Sequence, residues 1–132
     1  MEDPRHKFGR QAESEAEAYL RRKGYRILQR NARSPVGELD LVAEQGGVLV
    51  FIEVKARQTD AMGGAVHAVD SRKRAKLIRL ASQYLARHRP VRGRPEVRPC
   101  RFDVILCTGD AGRDAIEHIE NAFEVPAGEL RG

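Results

Sequence analysis

A chain of 132 residues, 41% of them apolar, is long enough for one domain around one core, and with aromatics at only 5% that core is expected to be aliphatic. No run approaches the roughly 20 apolar residues of a membrane helix. Met1-Glu2-Asp3-Pro4-Arg5-His6-Lys7 leads into no apolar stretch of the secretory kind, so a cytoplasmic protein is the simplest expectation.

In chain order, Phe8, Ala12, Ala16, Tyr19 and Leu20 recur at helical spacing and predict a helix over 8–23, closed by Gly24. A strand is expected over 25–30, a turn at Ser34-Pro35-Val36-Gly37 and a second strand over 38–44. Gln45-Gly46-Gly47 reads as a tight hairpin into a third strand, Val48 to Lys55. Residues 58–67, with Gly63-Gly64 and His67, read as a loop. Asp70-Ser71 offers an N-cap for a helix to about His88, with Leu77, Ile78, Ala81, Tyr84, Leu85 and His88 as its apolar stripe. Arg72, Lys76, Arg79 and Arg87 fall on its opposite side and Lys73 at the stripe's edge. Pro90 to Pro99 is a rigid basic loop, 101–107 a strand, and the period near 116–123 is ambiguous. The order helix-strand-strand-strand-helix-strand predicts an α/β sandwich on a mixed sheet, one domain over 1–132 with its core at about 8–124.

The net charge of +5 is modest but unevenly placed. Residues 71–101 hold eleven Lys or Arg against one acid, Glu96, while from Phe102 onward seven acids face two basic residues. Such a block is the footprint of a polyanion partner, although a solvated surface accounts for the charge alone equally well. Cys100 and Cys107 bracket the fourth strand, which would hold their Cα atoms about 23 Å apart, beyond the roughly 7 Å limit for a disulfide.

The chemistry concentrates in the third strand. Val48-Leu49-Val50-Phe51-Ile52 ends in Glu53-Val54-Lys55, and strand alternation puts Glu53 and Lys55 on one face. Charge beside so apolar a run costs several kcal/mol unless it is paired or holds a metal. Thirteen residues earlier, Asp40 ends Gly37-Glu38-Leu39-Asp40. With the turn at 45–47, Asp40 is expected opposite roughly position 52, next to Glu53. Two converging carboxylates suit a hard divalent cation, and a neighbouring lysine suits a developing negative charge. An ordinary Glu/Lys pair at a solvated strand end is the bland alternative.

The segments Gly37-Glu38-Leu39-Asp40-Leu41-Val42 and Val50-Phe51-Ile52-Glu53-Val54-Lys55-Ala56-Arg57 resemble the PD-(D/E)xK nuclease motif, with Leu39 where that motif has proline. With Gly9 and Glu13, Gly24-Tyr25, Asn31-Ala32-Arg33, Ala68-Val69 with Lys73, and Arg101-Phe102-Asp103-Val104, the pattern over about residues 9–107 is similar to the small bacterial YraN-like proteins, related to archaeal Holliday-junction resolvases.

The resemblance implies a restriction-endonuclease-like α/β/α sandwich and a nuclease dependent on Mg²⁺ (or Mn²⁺) that acts on structured or branched DNA. It implies Asp40 and Glu53 as metal ligands, Lys55 as the catalytic lysine and Glu13 as a helix acid at the same site. Periodicity alone favours Glu15 over Glu13, since Glu15 lies nearer the apolar stripe. Arg57, Lys73, Lys76 and Arg79 are the candidate phosphate contacts, with DNA favoured over RNA, and a homodimer follows by analogy with the resolvases. Asp103 reads as a structural ion-pair partner rather than a further site acid. Two other classes stay open: a non-catalytic nucleic-acid-binding module on the same fold, and an accessory protein whose basic helix meets an acidic partner.

Overall fold

The computed structural model describes residues 4–57, 70–88, 99–110 and 113–125, the side chains of 4–10, 57, 109–110 and 113–115 excepted. Its order is α1 (Pro4–Arg22), β1 (Arg26–Ser34), β2 (Gly37–Gln45), β3 (Val48–Arg57), α2 (Ser71–Arg87), β4 (Cys100–Asp110) and β5 (Arg113–Ile119). The strands form one five-stranded mixed sheet in the order β1-β2-β3-β4-β5. Among the described strands only β3 and β4 run parallel, a pairing that needs a long crossover, and α2 lies within it.

The helices take opposite faces. Ala12, Ala16 and Leu20 of α1 pack with Leu41, Ala43, Val50, Ile52, Ile105 and Cys107. Leu77, Ile78, Leu80 and Ala81 of α2 pack with Leu39, Val42, Phe51, Phe102, Val104 and Leu106. The chain is thus an α/β sandwich with a central mixed sheet, as its periodicities predict.

The core is mainly aliphatic, as expected, but has aromatic members on both sides, with buried Tyr25 under α1. On the α2 side Phe51 and Phe102 lie 5.4 Å apart between ring centroids, and Phe123 stacks on Phe102 at 4.7 Å. Few aromatics are present, but they are gathered where they fill most volume.

Some element bounds differ from those expected from the sequence. β1 runs to Ser34, because Ala32, Arg33 and Ser34 continue the ladder opposite Leu39, Glu38 and Gly37. Its register slips between Ile27 and Gln29, and Leu28, the extra residue there, is the exposed large apolar side chain of the described residues. The ambiguous C-terminal element is strand β5, paired antiparallel with β4 from Val104↔Ile119 to Asp110↔Arg113. No disulfide joins Cys100 and Cys107. Among the described residues no helix is long and apolar enough to cross a membrane.

Candidate metal-binding site

The β2–β3 hairpin sets the site. Gly46 and Gly47 both have positive φ, 55° and 83°, as a two-residue turn between right-twisted strands requires. Gln45 therefore pairs with Val48 and Leu41 with Ile52, a register that carries Asp40 to Glu53. The expectation of position 52 was one residue short, because the turn holds two residues rather than three.

At Asp40 the ladder stops. The Val54 N–H donates to Asp40 Oδ2 at 2.8 Å, so a side chain fills the place of a strand carbonyl. On the other flank the β1–β2 pairing steps from Arg30↔Leu41 to Ala32↔Leu39. Between them Asn31 takes φ 50°, a left-handed conformation that asparagine adopts more readily than most residues. Leu39 packs on the α2 side and Leu41 on the α1 side, so the alternation of β2 inverts across Asp40. This break in the ladder forms a notch in the strand pairing, where Asp40 feels both Glu13 of α1 and Lys73 of α2.

Glu53, only 7% exposed, points to the α2 side. Asp70 caps α2 by accepting from the Lys73 N–H at 2.8 Å, which fixes the first helical turn. Lys73 Nζ then reaches Glu53 Oε1 at 2.8 Å. Lys55 shares the face of Glu53 and is half-buried. Among the described residues, however, no carboxylate lies within ion-pair distance of it. The cation on the buried acid comes from the helix, not from the strand.

Burial first, and then the charge of Glu53, push the Asp40 carboxyl from 3.8 up to about 7; the Val54 N–H and Lys73 oppose them, and Glu13 adds to them. Lys73 is raised: burial lowers it, but Glu53 and Asp40 outweigh that.

The helix acid near this notch is Glu13. Burial raises its carboxyl, and the charges of Glu38 and Glu53 raise it further. With its carboxamide nitrogen turned toward the acids, Asn31 donates to Glu38 Oε1 at 2.8 Å and to Glu13 Oε1 at 3.3 Å. Arg33 Nε holds the other oxygen of Glu38 at 3.0 Å. One helical turn on, Glu17 receives both Arg30 donors, so α1 lies along β1 by the face that carries Glu13. Glu15 is half-buried too; Glu13 and Glu17 reach Asn31 and Arg30 of β1.

The phosphate candidates whose side chains are described sit in different surroundings. Lys73 belongs to the carboxylate site. Lys76 crosses the β1–β2 turn, where a Cβ on Gly37 would come within 2.9 Å of its Cε. Arg79 is exposed, Arg87 donates to the Arg33 carbonyl at 2.8 Å, and the Arg57 side chain and His67 lie outside the described residues. Asn31 and Glu38 carried no role in the sequence reading. An asparagine just past the expected strand 25–30, poor in β-propensity and at ease with positive φ, was the available signal.

Asp103 is structural. Its fully buried carboxylate accepts from Arg101 at 2.8 Å, from His118 Nε2 at 2.8 Å and from the Asn121 N–H at 3.0 Å. Lys23, which can only donate, lies 3.3 Å from His118 Nδ1, so the ring proton belongs on Nε2. Burial pushes Asp103 up, yet these hydrogen bonds outweigh it and hold its carboxyl below 3.8.

Among the described residues no three His, Cys, Asp or Glu side chains gather closely enough to form a protein-only metal cage. Asp40 and Glu53 still fit a hard divalent cation in kind. Both offer oxygen, both are poorly solvated, and Mg²⁺ typically takes only one or two carboxylates and keeps several waters.

The model of "Uncharacterised protein family UPF0102" matches residues 12–107. The chain belongs to the UPF0102 family. A UPF0102 protein of Magnetococcus marinus is 45% identical over 118 residues, covering 89% of this chain and 92% of the relative. Relatives of the same family name in Moorella thermoacetica and Pelotomaculum thermopropionicum are 48% identical over 121 residues and 46% over 125, covering 90% and 93% of this chain and 97% and 100% of theirs. In this UPF0102 protein the matched span runs from Ala12 in α1 to Cys107 in β4 and takes in Glu13, Asn31, Glu38, Asp40, Glu53, Lys55 and Lys73.

Proposed function

We propose that this UPF0102 protein is a metal-dependent nuclease of the PD-(D/E)xK type, hydrolysing phosphodiester bonds in structured or branched DNA. The observation that carries the reading is the Asp40–Glu53 pair at the point where β2 leaves β3. These are two poorly solvated carboxylates, one of them driven to a pKa of about 7. A site that holds acids at that cost is suited to a cation. Mg²⁺ or Mn²⁺, when bound, supplies a Lewis acid and a more acidic water.

The chain's own residues do the rest. Asp40 and Glu53 would hold the cation, and the Val54 N–H orients Asp40 through Oδ2. Glu13, fixed by Asn31, faces the same notch from α1. Lys55, on the face of Glu53 and with no carboxylate partner among the described residues, is placed to meet negative charge on a scissile phosphate. Exposed Arg79 and Lys76 at the β1–β2 turn are suited to flanking phosphates. The motif resemblance to YraN-like proteins, related to Holliday-junction resolvases, is the ground for proposing branched DNA as substrate, and a homodimer cutting two strands follows by analogy.

The Lys73–Glu53 ion pair favours a second reading, a nucleic-acid-binding module that does not cut, since it already neutralises one of the two acids. A cleavage assay over single-stranded, duplex, flap and four-way-junction DNA with Mg²⁺ or Mn²⁺ separates the two. Cleavage by the wild type and its loss in Asp40→Ala, Glu53→Ala and Lys55→Ala is the expected result. Salt-dependent junction binding without cleavage points to the module, and competition by heparin without preference for DNA points to an acidic protein partner.

A further inference from the structure

We infer that Lys73 is the resident counter-ion of the carboxylate site: its ammonium group competes with a divalent cation for Glu53 and is released toward the substrate when the site is loaded. The inference rests on the metal-dependent reading above and adds to it a mode of regulation.

Four observations carry it. Lys73 Nζ lies 2.8 Å from Glu53 Oε1, and the side chain of Glu53 is 8% exposed against 31% for Lys73. The acid is therefore fixed in the core, while the base can withdraw into solvent. Lys73 also acts on Asp40, so its charge is felt by both acids of the pair. Lys55, the strand lysine on the same face, finds no carboxylate among the described residues and leaves this role to Lys73. Finally, Lys73 stands in the first turn of α2, where its backbone is held by the Asp70 cap, so its swing is confined to a long, flexible side chain.

The two states follow from charge. Without a divalent cation, Asp40 and Glu53 repel each other in a poorly solvated notch, and a single ammonium offsets part of that repulsion. With one present, two positive charges replace one, and the ammonium is repelled from Glu53 by the same law that held it there. Lys73 already lies beside Lys55 while paired to Glu53, so once released its charge adds to that of Lys55 toward the phosphate. Its pairing with Glu53 thus lowers the site's affinity for metal and couples metal entry to the making of a phosphate-facing charge.

The test compares divalent binding by the wild type, Lys73→Met and Lys55→Met, using Mg²⁺ and Mn²⁺ alone as probes. Binding is followed by isothermal titration calorimetry and by thermal melts against a chelator reference. Lys73→Met is expected to melt lower than the wild type in chelator and to bind Mn²⁺ about tenfold more tightly, or ~1.4 kcal/mol. Its gain in melting temperature on metal addition should exceed that of the wild type, and Lys55→Met should leave the Mn²⁺ affinity nearer the wild-type value. Lys73→Gln, which keeps a polar tip, repeats the measurement should the methionine variant fold poorly. If the wild type binds Mn²⁺ and both Lys73 variants bind it equally or less well, Lys73 is a plain structural partner and the inference fails alone. If no variant nor the wild type binds a divalent cation, the metal reading itself fails and takes the inference with it.

Discussion

Asp40→Asn tests the electrostatics of the site most directly, because it removes a charge and little else. Asparagine is nearly isosteric, and its Oδ1 can still accept the Val54 N–H that Asp40 Oδ2 now accepts at 2.8 Å. In the folded protein the Asp40 carboxyl is raised from 3.8 to about 7, by burial first and by Glu53 second. A raised acid favours the fold in its protonated form. Its stabilising contribution is complete below pH 3.8 and is lost as pH climbs toward 7 and beyond. At about 1.4 kcal/mol per pH unit that gap sets a ceiling of about 4 kcal/mol. Water at the half-buried side chain screens the measurable part to roughly 1–3 kcal/mol. At pH 8.5 in chelator, Asp40→Asn should therefore be more stable than the wild type by that amount, raising the melting temperature by roughly 3–10 °C. Below pH 4 the two should converge, since both side chains are then neutral. The assay is a denaturant or thermal melt of both proteins at several pH values, with and without Mg²⁺; the substitution should also blunt the response to metal. A variant less stable than the wild type at pH 8.5, with an unchanged metal response, would mean that Asp40 is a favourable ion-pair partner and that the site's charge has been misread.

Asp103→Asn should show the opposite sign: the buried carboxylate, lowered by its donors, stabilises the fold above about pH 4, and leaving Arg101 and His118 without it should cost roughly 3–5 kcal/mol by denaturant melt while any cleavage per folded molecule persists. Gly37→Ala should destabilise by about 1–2 kcal/mol, because φ +154° disfavours a Cβ and that Cβ would meet Lys76 Cε; a neutral result would show that the turn relaxes. Replacing Lys76 and Arg79 together by alanine should weaken DNA binding and reduce the slope of log affinity against log salt by up to about two counterions' worth, whereas an unchanged slope would turn that face of α2 away from nucleic acid. Asn31→Ala should leave Glu13 and Glu38 without their shared donor and lower the melting temperature at neutral pH more than at pH 4, where carboxyl protons relieve the repulsion.

The local periodicities of this chain determined most of its architecture. Ala12, Ala16 and Leu20 repeat at helical spacing, β3 is an unbroken apolar run, and Gly46-Gly47 admits one tight hairpin; each is a short-range signal, and each dictated its element. The same signals brought Asp40 to within one residue of its place opposite Glu53, because register in a hairpin is inherited from the turn. Tertiary structure alone decided what surrounds those acids. Lys73 is twenty residues beyond Glu53 in sequence, and only the packing of α2 on that face of the sheet makes it, rather than Lys55, the cation on that carboxylate. Glu13 lies farther from the apolar stripe than Glu15, yet α1, packed through Ala12, Ala16 and Leu20, meets Arg30 of β1 with Glu17 and brings Glu13 to Asn31. Helical periodicity reports which side of α1 is buried, but not which strand runs beside it. The break of alternation at Asp40 was equally hidden, because it arises where two strands distort together around a left-handed asparagine. Sequence pattern reports how a segment meets a core; which charges share a notch depends on where distant segments are laid against one another.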